Sequence, residues 1–195
     1  FYKGDTVTLK FKLVFFKCGS IQELYNVYNR ERNIPMLDSA PVNKIPYSEA
    51  FKVQEGKFNR QNYENTHGYY SIGMRENAFQ DWQIGWTGGM IYTYPLLMMG
   101  GEETKKNVLR NFDWLFQHGI SPGGLFWGIG EGGTEFFGEF EKSKPLGKDL
   151  LLTRKIGDAV YYIVKQFMLM EKMGIEVKNE WKSKLKGVID VFVGV

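Results

Sequence analysis

The chain has 195 residues and a formal net charge of +3 from nearly balanced acidic and basic counts, so no bulk field marks nucleic acid or a membrane surface as its partner. Cys18 is the single cysteine, which excludes an intramolecular disulfide framework. No apolar run reaches the roughly 18 uncharged residues of a membrane span, and no secretory leader is visible.

In chain order, residues 6–16 alternate, with Val7, Leu9, Phe11, Leu13 and Phe15 on one face and Thr6, Thr8, Lys10 and Lys12 on the other. This period of two predicts a half-buried β-strand. No comparable run follows within the next 70 or so residues, so the strand is expected to be the last of an upstream β-domain, over residues 1–17. The chain also starts at Phe1 and ends within an apolar stripe, which reads as a piece of a longer protein. Ser20-Ile21-Gln22-Glu23 has the form of a capping box, and Leu24, Tyr25, Val27 and Tyr28 extend it into a short helix to about residue 32. Residues 33–75 contain Pro35, Pro41 and Pro46, lack sustained periodicity and predict extended chain. A linker over residues 18–62 follows from this.

Residues 81–116 predict a helical hairpin. From Met90 to Met99 almost every position is apolar, the pattern of a helix buried on all sides, and Gly100-Gly101 stops it. The next helix sets Val108, Leu109, Phe112, Leu115 and Phe116 in one stripe, with Lys105, Lys106, Arg110 and Asn111 on a solvated face. This predicts an inner helix and an outer one. The pattern returns at residues 150–173, stopped by Gly174, and at 179–193 with Trp181, Leu185, Val188, Ile189 and Phe192. A repeat of roughly 75 residues built this way is the signature of a helical-hairpin array.

Two long loops lead into the inner helices, and by this topology they share one end of the array. Trp82, Trp86 and Trp127 offer flat apolar faces there, with Phe136 beside them. Asp81, Glu131 and Glu135 offer carboxylates, and Arg154 and Asp158 stand one helical turn apart on the second inner helix. The plain alternatives are core packing for the tryptophans, solvated loop carboxylates, and a helix-face ion pair. Glu131 and Asp158 are the weak candidates for acid-base catalysis, which would require burial or a like charge to move a carboxyl pKa toward neutrality. His67 and His118 belong to no zinc-binding spacing. His118 lies in the last turn before Gly119, where a cation suits the helix dipole. No nucleotide-binding or Ser-His-Asp pattern is present, and no cofactor is implied.

Residues 81–116 with their GWTGG segment, the Gly- and Trp-containing loop after them and the GDAVYYIVKQFMLM helix resemble the six-hairpin glycosidases, the α/α toroids of glucoamylase-like enzymes. The resemblance implies a mainly α fold, a partial toroid over residues 63–195 holding its first two hairpins, preceded by an N-terminal β-domain and a linker helix. It implies an oligosaccharide or polysaccharide substrate, for which Asp81, Trp82, Trp86, Trp127, Glu135 and Arg154 at the shared loop end are the candidate binding residues. It further implies glycosidic cleavage by two carboxylates and a periplasmic or secreted location. The sequence departs from the family where a Trp-x-Arg-Asp clamp is expected, since Thr87, Gly88 and Gly89 follow Trp86. The family's catalytic pair falls beyond Val195, so this chain alone is expected to be inactive. The competing expectation is a non-catalytic helical scaffold binding a glycan or a protein.

Overall fold

The computed structural model describes residues 4, 6, 8–36, 45–72, 81–85, 90–139 and 150–194. The chain divides into two compact units, Phe1–Pro46 and Tyr47–Val195. Most of the described chain is helical, with small sheets.

In the first unit, helix α1 covers Ile21–Met36. The Ser20 hydroxyl accepts the Glu23 N–H at 3.2 Å, and the Glu23 carboxylate accepts the Gly19 N–H at 2.8 Å. This is the reciprocal capping that the sequence predicts, with the carboxylate reaching one residue further back. The expected strand over residues 6–16 is absent from the described residues, where positions 8–18 form no ladder. Leu9, Phe11, Leu13 and Phe15 are between 71 and 89 % exposed. Alternation makes a segment fit for a sheet, but a strand exists only when a second strand takes its N–H and C=O groups.

The second unit begins inside the segment expected to be extended linker. Helix α2 covers Tyr47–Lys57 and runs directly into a π-helical turn, Phe58–Asn62. The helix has little amphipathic pattern and no fully buried residue. Its place is set by tertiary bonds instead. Helix α4, Glu102–His118, starts at Gly101 without a side-chain cap of its own, and Glu55 of α2 supplies one. The Glu55 carboxylate accepts the Gly101 N–H at 2.7 Å and the Thr104 hydroxyl at 2.5 Å. An anion at a helix N-terminus satisfies orphan donors and complements the dipole.

A hairpin follows, β1 (Tyr63–Glu64) and β2 (Tyr69–Tyr70), paired antiparallel. Helix α3, Met90–Met99, then packs against α4 as an antiparallel hairpin: Asn111 lies on Met90 at one end and Thr104 on Gly100 at the other. At Gly100 a Cβ would stand 2.3 Å from the Leu96 carbonyl oxygen, so the tight turn admits only glycine. Helix α5, Thr153–Lys172, ends at Gly174 with φ +69° and the Ile175 N–H returning to the Met170 carbonyl. This is the αL stop the sequence predicts. Helix α6, Asn179–Gly194, folds back along α5, with Trp181 stacked near Phe167 and Phe192 close to Gly157.

The expected contrast of a buried inner helix and a less buried outer one fails in the first hairpin, whereas in the second α5 buries seven residues and α6 three. Helix α4 buries Thr104, Asn107, Val108, Asn111, Phe112, Trp114, Leu115 and Phe116, whereas α3 buries Met90, Thr93, Leu96 and Leu97 and leaves Met98 and Met99 half exposed. Helix α5 is one-sided as well, burying Ile156, Ala159, Ile163, Phe167 and Met170 while Tyr161, Val164 and Met168 stay exposed. The reason is that α4 is covered by α3, by α6 and by the β1–β2 hairpin. Its supposedly solvated Asn111 is fully buried and accepts the Tyr70 N–H at 2.9 Å. Among the described residues no helix is long and apolar enough to cross a membrane.

Candidate functional site

The segment before α3 and the loop between α4 and α5 are joined by one antiparallel sheet, β3 (Trp82–Gln83), β4 (Ile129–Glu131) and β5 (Glu135–Phe137), in that order. Trp82 pairs with Gly130 and Gln83 with Ile129. The sheet is tied to the starts of both helices. The Met90 N–H donates to the Ile84 carbonyl at 3.1 Å, and the Leu152 N–H donates to the Glu139 carboxylate at 3.2 Å. A Cβ on Gly85 would lie 2.0 Å from the Lys155 carbonyl oxygen, so strand end and helix start touch backbone to backbone. The expected shared end is therefore where the two loops meet.

At one end of the sheet stands Asp81. Its Oδ2 accepts the Tyr69 hydroxyl at 2.5 Å, and its backbone N–H donates to Gly130. Burial pushes its carboxyl above the usual aspartate range, against the stabilising pull of the Tyr69 hydroxyl and the Gly132 N–H. The second oxygen, Oδ1, is buried without a hydrogen bond of good geometry. Tyr69 stacks on Trp114 at 4.4 Å, and the Trp114 indole N–H donates to the Gly133 carbonyl at 3.0 Å. Glu131 faces Glu135 across β4 and β5, with Glu131 half-buried and Glu135 exposed.

Trp127 lies two residues before β4, its backbone N–H donating to the Gly119 carbonyl at 2.9 Å. It is half-buried and lines a cavity of about 360 Å³ with Ser121, Pro122, Gly123, Leu125 and Leu151. Arg154 and Asp158 line a separate, smaller cavity of about 70 Å³ with Gly85, Leu152 and Lys155. They form the i,i+4 ion pair at 3.5 Å, with Arg154 largely exposed, so the plain alternative describes them. Core packing describes Trp82, which is fully buried with its ring edge-on to Trp114 and Phe136. It has no face open to a sugar. Trp86 and most of the GWTGG segment lie outside the described residues.

Burial, with His67 and Lys184 nearby, holds the His118 pKa below the usual histidine value, and Lys184 donates to the Phe116 carbonyl in the last turn of α4 at 2.8 Å. Among the described residues no group of three or more His, Cys, Asp or Glu side chains is arranged to hold a metal ion.

Two arrangements escaped sequence reasoning. One is the ion pair of Glu139 and Lys155 at 2.6 Å, both side chains about 7 % exposed, which clamps the loop end to the first turn of α5. The Lys-Ile-Gly run gives no sign of it, because its partner comes from a loop. The other is a polar seam between the π-helical turn and α4. Asn59 donates to Thr104 at 2.8 Å and accepts the Tyr70 hydroxyl at 2.8 Å. An Asn-rich aperiodic stretch followed by two tyrosines was the available signal. No family model, curated protein or solved structure matches this chain.

Proposed function

We propose that this chain carries the sugar-binding part of a carbohydrate-active enzyme of the glycoside hydrolase type, arranged as part of an α/α toroid. The observation that supports the reading is the Trp127 cavity. It is concave, mostly apolar, of the size of a small-ligand site, and sits on the loop that the β3–β4–β5 sheet holds against the starts of α3 and α5. A half-buried indole beside backbone and hydroxyl groups of a Ser-Pro-Gly-Gly loop suits a pyranose, whose C–H face stacks on an aromatic ring while its hydroxyls take polar partners.

Cleavage of a glycosidic bond through an oxocarbenium-like transition state needs two carboxyl groups flanking it. Of the two cavities described, one holds Asp158, already paired with Arg154, and the other holds no carboxylate. The reading therefore assigns binding to this chain and the cleaving pair to other parts of a complete enzyme. The competing reading, a non-catalytic scaffold, draws on the Arg154–Asp158 pairing and on the burial of Trp82.

Calorimetric titration of the chain with a panel of α- and β-linked oligosaccharides tests the proposal. Binding of at least one is expected, weakened roughly tenfold or more by Trp127→Ala and unchanged by His118→Ala. A folded chain that binds none of them would overturn it. Product release from any of these sugars, abolished by Glu131→Gln, would show that the cleaving group lies in this chain after all.

A further inference from the structure

Where α3 and α5 pack together, three tyrosine rings gather around one amino group. Lys165 Nζ stands 4.7 Å from the centre of the Tyr94 ring, 5.1 Å from Tyr161 and 5.9 Å from Tyr162. The rings also pack on one another, Tyr94 with Tyr162 at 6.0 Å and Tyr161 with Tyr162 edge-on at 5.2 Å. Among the described residues Lys165 forms no salt bridge, although many of the exposed lysines of this chain do. Tyr161 is 57 % exposed, and Val164 and Met168 extend an open apolar apron around it.

We infer that this cluster is a binding subsite for a saccharide bearing carboxylates, a uronic acid residue, with the ring stacked on tyrosine and the acid group on Lys165. The inference rests on the sugar-binding reading above and adds the class of sugar. The charge of the subsite selects the ligand. A cation held against the negative faces of aromatic rings is stabilised in place, yet one side of the ammonium still faces solvent and retains donors for an anion. Tyrosine faces alone would accept any pyranose. An ammonium fixed among them, with no carboxylate paired to it among the described residues, favours an acidic one. The Tyr161 hydroxyl beside Lys165 also raises the lysine above its usual value, which keeps it charged across the neutral range.

Trigalacturonate and its fully methyl-esterified form share every hydroxyl and differ in charge, so they isolate the ammonium. Calorimetry on the full chain at low salt is expected to show the acid bound about tenfold more tightly than the ester, the scale of one charge-assisted hydrogen bond. Lys165→Met is expected to remove that preference with ester binding unchanged, and Lys165→Arg to restore most of it. Circular dichroism on both variants checks that the fold is kept. Equal binding of acid and ester, or a preference that survives Lys165→Met, overturns the acidic-sugar inference and leaves the sugar-binding reading standing. The inference is overturned in the same way if a neutral oligosaccharide binds through Trp127 and neither galacturonide does. If no saccharide binds at all, the reading itself fails and the inference falls with it.

Discussion

Helices α3 and α4 are adjacent arms of one hairpin, and they are buried to a similar degree although they differ sharply in apolarity. Helix α3 has scarcely a polar position, yet its last turn faces solvent through Met98 and Met99. Helix α4 carries Lys, Arg, Asn and Glu along its length and still buries eight residues, three of them polar. The difference teaches that apolarity tells where a helix is able to go, while the number of elements laid against it decides how deep it sits. Three elements cover α4. Polar side chains are buried there because each has a bond to make: Thr104 to Glu55 and Asn59, Asn107 to Asn59, and Asn111 to the Tyr70 N–H.

The largest expected effect tests α4 as the centre of the unit. Phe112 is fully buried, and its ring packs on Trp181 at 5.3 Å, Phe167 at 5.6 Å and Phe116 at 6.3 Å, so it joins α4 to both α5 and α6. Phe112→Ala should cost about 3–5 kcal/mol in urea denaturation, the usual cost of emptying an aromatic site in a core. A loss below about 1 kcal/mol would mean that α4 is the peripheral helix its sequence suggests.

Asn111→Leu comes next, and it separates shape from hydrogen bonding. Leucine is close to asparagine in size but leaves the buried Tyr70 N–H without an acceptor, which should cost about 1–3 kcal/mol. Amide exchange at Tyr70 should accelerate relative to its neighbours. Unchanged protection there would show that the β1–β2 hairpin is not held to α4 through this bond.

What the sequence made legible was local. The capping box at Ser20 and Glu23, the αL stop at Gly174, the turn at Gly100 and the stripes of α4 and α6 each depend on residues a few positions apart. Helix α2 was hidden because its support comes from Gly101 and Thr104, far along the chain, and its own periodicity is weak. The strand at residues 6–16 failed for the complementary reason, since good alternation found no partner among the described residues. At the site, the meeting of the two loops followed from topology and was readable. Which tryptophan would face solvent was not, because Trp82 and Trp127 sit in similar Gly- and aromatic-rich surroundings and only the sheet register decides between them.

Asp81 allows a pH test of the same end of the molecule. Its carboxyl is raised in the folded state, so the fold holds the proton more tightly than the unfolded chain does. Ionisation therefore favours unfolding, and stability is lost as pH rises from the unfolded value, about 3.9, through the raised folded one. Asp81→Asn removes that loss while keeping an oxygen to accept the Tyr69 hydroxyl. The variant should gain in Tm on wild type at pH 7, with the gap closing as pH falls below about 4. A gap that does not depend on pH would mean that the aspartate is solvated rather than desolvated. A variant less stable at pH 7 would mean that the charged bond to Tyr69 outweighs the cost of burial.

The smallest expected effect is the most direct check on α3. Met99 is 50 % exposed at the end of a helix that the sequence marks as apolar throughout. Met99→Ser removes little buried surface and should change stability by no more than about 0.5 kcal/mol, the range for surface positions. The partner substitution Leu97→Ser, two residues away but fully buried, removes a core side chain and leaves a hydroxyl to find a bond, and should cost several times more. Measured together in one denaturation series, the two give the exposure of the α3 end without reference to any other helix. Comparable losses at both positions would mean that the last turn of α3 is covered in solution.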